Sequence, residues 1–259
     1  MKIRKAVITA AGLSTRTGYL ANIIPKCMFP IVYKRGDKLE IKPLVHGLLA
    51  SLKRSGIEEI CFVVRGNYKP LFDYINDNFN DLDIYYIHQK RELKEYGGAV
   101  LSAKRFVGDE PFVLHADDGL MVESYEKYIR LFESSDMHGL VFYRRVSNPE
   151  RYGILDLEDT NSELKRVRSA EEKPKQPRSD AALLAFYILD NSYMDELERF
   201  KSSDNIQVTY AIDSLAKRSN KVYAKEVSKE QWLNVGDPDS YIKTLNITYS
   251  NDISYLFDS

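Results

Sequence analysis

Tryptophan occurs once and cysteine twice in this chain of 259 residues. With only Cys27 and Cys61 available, a disulfide-stapled secreted scaffold is excluded, and a pair of buried, reduced thiols is expected. Histidine is also sparse. His46, His88, His115 and His138 stand without metal-ligand spacing, which argues against a zinc site. Neither sign of charge dominates: 37 basic and 38 acidic side chains leave a net charge of −1. A general attraction to nucleic acid or anionic membrane is therefore not expected, and any phosphate-binding surface must be local. No segment reaches ~18 uninterrupted apolar residues, so no membrane span is expected. The opening MKIRKAVITAAG has neither the apolar run nor the small-residue cleavage site of a signal peptide, which points to a cytoplasmic protein. The Gly-Lys-Ser/Thr of a Walker A loop is missing, and Gly12 and Gly18 lack the spacing of a dinucleotide fingerprint.

What the chain does have is alternation. Apolar residues make up 44% of it, enough for a sizeable core in one α/β domain. RKAVITAA (4–11), ICFVV (60–64), DIYYIH (83–88), FVLH (112–115) and GLVFYRRV (139–146) read as strands, most of them continuously apolar. Between them, apolar residues at helical spacing mark helices through 44–52, 68–79, a segment opening at Gly97-Gly98, and 124–134. This order predicts a Rossmann-like α/β fold: a mixed, mostly parallel sheet flanked by helices, with ligands beyond the carboxyl ends of the strands. The second half is more mixed. Strands are expected near 152–157, 163–172, 182–190 and 221–227, and helices near 193–200, 208–218 and 238–247. A single domain over 1–259 is expected, in two halves at 1–147 and 148–249 with a C-terminal tail at 250–259 that carries no period.

Chemistry concentrates first in AAGLSTRTGYLANIIPKCMFP (10–30). A glycine after a strand turns backbone N–H groups toward a ligand, and Ser14, Thr15 and Arg16 offer donors suited to phosphate. Lys26 follows with prolines on both sides. On composition alone the segment fits a triphosphate cradle or a solvated surface loop. It resembles the signature of the sugar-nucleotide pyrophosphorylases, A-A-G-x-G-T-R, then P-K-x-M-x-P, then K-P. Here the matches are Gly12, Thr15 and Arg16, then Pro25, Lys26, Met28 and Pro30, then Lys42-Pro43. The branch it is most similar to is UTP–glucose-1-phosphate uridylyltransferase. YKRGDKLEI (33–41) reads as an insertion before Lys42-Pro43 that fits a rim hairpin. Contact between subunits there would make a homo-oligomer, which the sequence leaves open.

The resemblance runs in order over about residues 3–247 and implies roles residue by residue. Arg16 and Lys26 would neutralise nucleotide phosphates, with Ala11, Gly12, Ser14 and Thr15 as nucleotide contacts. Gln89 would read the base edge beside Gly97 and Gly98; an amide that both donates and accepts suits uracil or thymine. Asp117, after a buried strand, would hold Mg²⁺ together with Asn234, while Asp118 helps orient the site and the sugar phosphate. PERYGIL (149–155) and EEKP (171–174) imply Gly153 as a backbone contact to the sugar, Glu172 on its hydroxyls and Lys173 on its phosphate. Three positions depart from the family pattern: Ser14 replaces a glycine, Asn234 an aspartate and Tyr210 an acidic residue. Ala185 stands where glycine is common. The implied partners are a nucleoside triphosphate, UTP or dTTP, and a sugar 1-phosphate, by default glucose 1-phosphate. The implied reaction is nucleotidyl transfer with release of pyrophosphate. The competing reading is a non-catalytic nucleotide-sugar sensor on the same fold, resting on the three departures.

Overall fold

The computed structural model describes residues 2–12, 15–17, 23–66 and 68–258. Its strands are β1 (Lys5–Ala10), β2 (Pro30–Arg35), β3 (Lys38–Pro43), β4 (Glu59–Val64), β5 (Asp83–His88), β6 (Phe112–Ala116), β7 (Gly119–Met121), β8 (Gly139–Arg145), β9 (Gly153–Glu158), β10 (Lys165–Glu172), β11 (Ala181–Leu189), β12 (Val222–Glu226) and β13 (Trp232–Asn234). The helices are α1 (Leu44–Arg54), α2 (Lys69–Asn78), α3 (Glu95–Ser102), α4 (Lys104–Val107), α5 (Tyr125–Glu133), α6 (Ser192–Glu198), α7 (Val208–Ser219) and α8 (Pro238–Ser250).

Nine strands form one mixed sheet in the order β5-β4-β1-β6-β11-β8-β12-β10-β9. The first four run parallel, as the continuous apolar runs require of strands covered on both faces. The period of two divides them cleanly. In β1, Ala6, Ile8 and Ala10 point into one core layer and Val7 into the other; in β4, Ile60, Phe62 and Val64 oppose Cys61 and Val63. β11 then enters antiparallel between β6 and β8, β12 returns parallel to β8, and β10 and β9 close the far edge antiparallel. Cys27 and Cys61 are free and buried. Among the described residues, no helix is long and apolar enough to cross a membrane.

Two local differences from the sequence reading have physical causes. Helix α3 opens at Glu95 rather than at Gly97-Gly98, and Glu95 sits at φ +62. The glycines lie inside the helix because it passes against other backbone there, as the site analysis below details. The aperiodic tail is also packed. Residues Ser254–Phe257 form a 3-10 turn with Leu256 and Phe257 buried, and the Phe257 ring stacks on Tyr33 at 4.3 Å. The segment at 33–41 is part of a longer hairpin, β2–β3, turned by Gly36 (φ +58) and Asp37.

The tail docks on a basic corner. Lys42 Nζ donates to the Phe257 carbonyl at 2.9 Å and to His46 Nε2 at 2.8 Å. His46 Nε2 also lies 3.1 Å from the Phe257 carbonyl, and its Nδ1 shares a hydrogen bond of 2.9 Å with the Tyr74 hydroxyl. His46 is 2% exposed, and burial, reinforced by the Lys42 charge, pushes its pKa down to about 4. A histidine depressed in the folded state contributes stability that is complete above the unfolded value near 6.5 and is lost as pH falls toward 4. Urea denaturation should therefore report a loss of about 2 kcal/mol from this group between neutral pH and pH ~5. A His46→Gln variant with the same pH slope as the parent would refute it. Removing the buried ring with Phe257→Ala should cost roughly 3–5 kcal/mol in the same measurement at neutral pH.

Candidate active site

Strand β6 is buried for four of its five residues and ends in Asp117-Asp118, beside the carboxyl end of β1, where the Asp117 N–H donates to the Thr9 carbonyl. Two adjacent carboxyls thus sit where the parallel half of the sheet stops. Burial, followed by the Asp118 charge, raises the Asp117 carboxyl well above the ordinary carboxylate range, while Lys26 and the Cys27 backbone N–H oppose the shift. Lys26, only 8% exposed, reaches the pair from the 3-10 turn Lys26–Met28 and meets Asp118 Oδ2 at 3.2 Å. Pro25, at φ −56 immediately before that turn, fixes the approach. Breaking so enclosed a pair would leave one charge uncompensated, at a cost of roughly 3–5 kcal/mol.

Asn234 arrives by a separate route. β13 pairs antiparallel with β7, setting Asn234 opposite Gly119, and the Val235 N–H donates to the Asp118 carbonyl at 2.9 Å. Trp232 lies so close over Gly119 that a Cβ there would be 2.3 Å from its ring. The far side of the indole stacks on His115 at 5.6 Å. Burial holds His115 neutral, with its pKa down to about 4. Around Gly236 the oxygens converge: a Cβ at that position would stand 2.8 Å from Asp118 Oδ2 and 3.0 Å from Asn234 Oδ1. The resemblance set Asn234 with Asp117 by role alone; the β7–β13 ribbon, unforeseen because three-residue strands carry no period, is what brings Asn234 to the acid pair.

Above this floor lies a cleft of about 590 Å³, lined by Ala11, Gly12, Arg16, Gln89, Asp117 and Asp118. Ser14 falls outside the described residues, as does the Thr15 side chain; Arg16 is exposed in the 3-10 turn Thr15–Thr17. Gln89 is already occupied. Its Nε2 donates to the carbonyls of Leu93 (2.7 Å) and Glu95 (3.1 Å), and its Oε1 accepts from Arg65 (3.1 Å). Arg65 and Lys94 also line the cleft and were not anticipated; Arg65 follows β4 directly, so the strand-end rule that singled out Asp117 points to it too. Ala185, on β11, lines the same cleft.

Gly97 and Gly98 are buried, and among the residues lining the cleft it is their neighbours Tyr96 and Ala99 that appear. Their lack of side chain serves backbone packing. Gly97 N–H donates to the Ile206 carbonyl at 2.8 Å, where a Cβ would come within 2.7 Å of that oxygen, and a Cβ on Gly98 would lie 2.4 Å from the Leu93 carbonyl carbon.

The remaining assigned residues form a second group. Gly153 and Glu172 pair at the end of the β9–β10 ladder, and Glu172 Oε2 accepts from Thr209 Oγ1 at 2.6 Å. A Cβ on Gly153 would strike that hydroxyl oxygen at 2.5 Å. Lys173 follows in a left-handed conformation (φ +45), its N–H donating to the Tyr152 carbonyl and its ammonium exposed, 3.7 Å from Glu172. Thr209 was missed, although it lies in the recognised NIQVTYAIDSL stretch. Tyr210 lines a separate surface cleft, its ring tilted at 45° to that of Phe200.

The nucleotidyl transferase family model matches residues 5–250, which takes in both groups. The chain belongs to the nucleotidyl transferase family. Curated relatives in this family include the UTP–glucose-1-phosphate uridylyltransferase of Staphylococcus epidermidis, 31% identical, with 94% of this chain and 91% of that protein covered. UTP–glucose-1-phosphate uridylyltransferase 2 of Staphylococcus saprophyticus is 30% identical over 94% of this chain and 91% of its own. Among solved structures, a UDP-glucose pyrophosphorylase complexed with UDP-glucose superposes with a TM-score of 0.81 at 25% identity, covering 94% of this chain and 97% of that one.

If the glycines serve packing, Gly98→Ala should destabilise the fold by roughly 1–3 kcal/mol, since only backbone stands in the way of the new methyl. A thermal melt unchanged from the parent would show that the Leu93 segment moves freely, and would return Gly98 to the role of a ligand contact.

Proposed function

We propose that this nucleotidyltransferase moves a uridylyl group from UTP to glucose 1-phosphate. An oxygen of the sugar phosphate attacks the α-phosphorus of UTP, a new P–O bond forms, and the bond from that phosphorus to the oxygen bridging the β-phosphate breaks. The products are UDP-glucose and pyrophosphate. No general base is required, because the attacking phosphate is already ionised at neutral pH. The work left to the protein is positioning anions and offsetting charge as it shifts toward the leaving group.

The observation that carries the reading is that Asp117 and Asp118 line a cleft together with Arg16, Arg65 and Lys94, while Lys26 and Asn234 are brought up against Asp118. Such a site receives a polyphosphate: cations at the rim draw it in, and crowded carboxyls on the floor call for a divalent ion. The donor set fits Mg²⁺, being all oxygen, and two carboxylates with one amide leave positions for substrate phosphates and water. Asp117 and Asn234 would hold that ion, which when bound supplies charge neutralisation between the two reacting phosphates. Lys26 offsets charge from the buried side, and Arg16 from the open side.

In this scheme the sugar half supplies recognition. Glu172, oriented by Thr209, accepts from sugar hydroxyls; Lys173, exposed beside it, pairs with the sugar phosphate; and Gly153 lets Thr209 close on Glu172. Names of relatives support UTP and glucose, while Ala185, which lines the cleft where the family pattern commonly has glycine, is the position through which this chain would depart from them.

The test is pyrophosphate release in the presence of Mg²⁺ across UTP, dTTP and the other nucleoside triphosphates, each with several sugar 1-phosphates. Release is expected with UTP and glucose 1-phosphate together and with neither alone. Preference for dTTP would replace the nucleotide; binding without release from any pair would replace the enzyme with a sensor. Lys26→Ala should lower kcat by about 10²–10³ if the ammonium acts on developing charge. Full rate in a folded Lys26→Ala variant would remove it from the chemistry.

A further inference from the structure

The carboxyl ends of β4 and β5 set two polar side chains next to each other in the cleft. These strands pair in parallel with Val64 opposite His88, so the residues that follow, Arg65 and Gln89, leave the sheet side by side. The Gln89 N–H still donates to the Val64 carbonyl at 3.0 Å, which extends the ladder by one bond and fixes where the Gln89 side chain starts. Both residues line the cleft.

The Gln89 amide has one favourable orientation. Its Nε2 donates to the Leu93 carbonyl at 2.7 Å and to the Glu95 carbonyl at 3.1 Å, which uses both amide hydrogens. Turned over, the amide would set Oε1 against those two carbonyls and its N–H groups against the Arg65 guanidinium. Glu95 is held at φ +62, a left-handed backbone that costs a non-glycine residue energy, and its carbonyl is one of the two that fix the amide. Gln89 can therefore accept from a ligand but has no hydrogen left to donate. The missing donor stands beside it: Arg65 Nη2 donates to Gln89 Oε1 at 3.1 Å, and a guanidinium carries several N–H groups in one plane.

We infer that Arg65 reads the base of the nucleotide, donating to a ring keto oxygen while Gln89 Oε1 accepts from the ring N–H next to it. The inference rests on the proposed reading of the cleft as a nucleotide site. A keto oxygen beside a ring N–H is the imide edge of uracil and thymine. Cytosine has a lone pair on the ring nitrogen where the imide has its hydrogen, and that lone pair would face the Gln89 oxygen. Donor and acceptor are thus divided between two residues, and Gln89 alone cannot supply the pattern. The strain at Glu95 and the clasp with Arg65 serve the same end, an amide that presents its oxygen and nothing else.

Calorimetric titration of the full chain with UTP and with CTP, in Mg²⁺ and without sugar phosphate, tests this in the absence of turnover. The parent should bind UTP more tightly than CTP. In Arg65→Ala the two carbonyls still hold Gln89; UTP binding should weaken roughly tenfold or more, and CTP binding by less than about twofold. Arg65→Lys keeps the charge but loses the planar fork, so it too should bind UTP less tightly than the parent. A parent that does not prefer UTP, equal weakening of UTP and CTP in Arg65→Ala, or parent-like UTP binding in Arg65→Lys would reduce Arg65 to a general attraction for phosphate. Unchanged UTP binding in Arg65→Ala would remove it from the site. Those outcomes leave the nucleotide site standing, whereas a parent that binds neither nucleotide would overturn that reading and this one together.

Discussion

Two carboxyl groups held side by side at the end of a buried strand are costly to keep, and much of this structure answers that cost. The chain leaving β6 commits Asp117 and Asp118 to neighbouring positions, both partly buried. Nothing in β6 itself can balance them. The ammonium comes from Lys26, ninety-odd positions earlier, and an amide oxygen comes from Asn234, more than a hundred positions later. Both are delivered by short, stiff devices, a proline-led 3-10 turn in one case and a three-residue ribbon locked by Trp232 against Gly119 in the other. So many close contacts that bring oxygens together fit the divalent ion and polyphosphate proposed for this cleft.

The glycines tell a related story. Gly97, Gly98, Gly119 and Gly153 each stand where a single methyl would collide with another segment. Two of these contacts tie the wall of the cleft to Leu93 and Ile206, one seats the ribbon, and one admits Thr209 to Glu172. They are joints between segments, so a substitution at any of them would act on the site through the position of its walls.

Much of the fold was legible because its strands are apolar on both faces and its helices on one. Strands β1, β4, β5 and β6 and helices α1, α2, α5, α7 and α8 stand within a few residues of where periodicity puts them. What periodicity could not see was short or long-range. Strands β7 and β13 hold three residues each, too few for a pattern, and the packing of Phe257 on Tyr33 depends on a partner more than two hundred positions away. The candidate site was legible through the resemblance, which gathered residues from six separate stretches; composition alone left the first loop open. Gln89 illustrates the boundary. Its type suited base recognition, but its engagement by Arg65 and two carbonyls could be learned only from three-dimensional neighbours.

The strand order has a mechanical consequence. β11 bonds on one side to β6, which ends in the acid pair, and on the other to β8, and it also touches β9 beside Gly153. The floor proposed to receive the nucleotide and the ladder proposed to receive the sugar are therefore stitched together by one antiparallel strand. A hinge between the two would have to shear that ladder, breaking several backbone hydrogen bonds at once. Adjustment to one substrate or another is left to what sits on the rim, such as the Arg65–Gln89 clasp, while the distance between the two binding regions is set once, when the sheet forms.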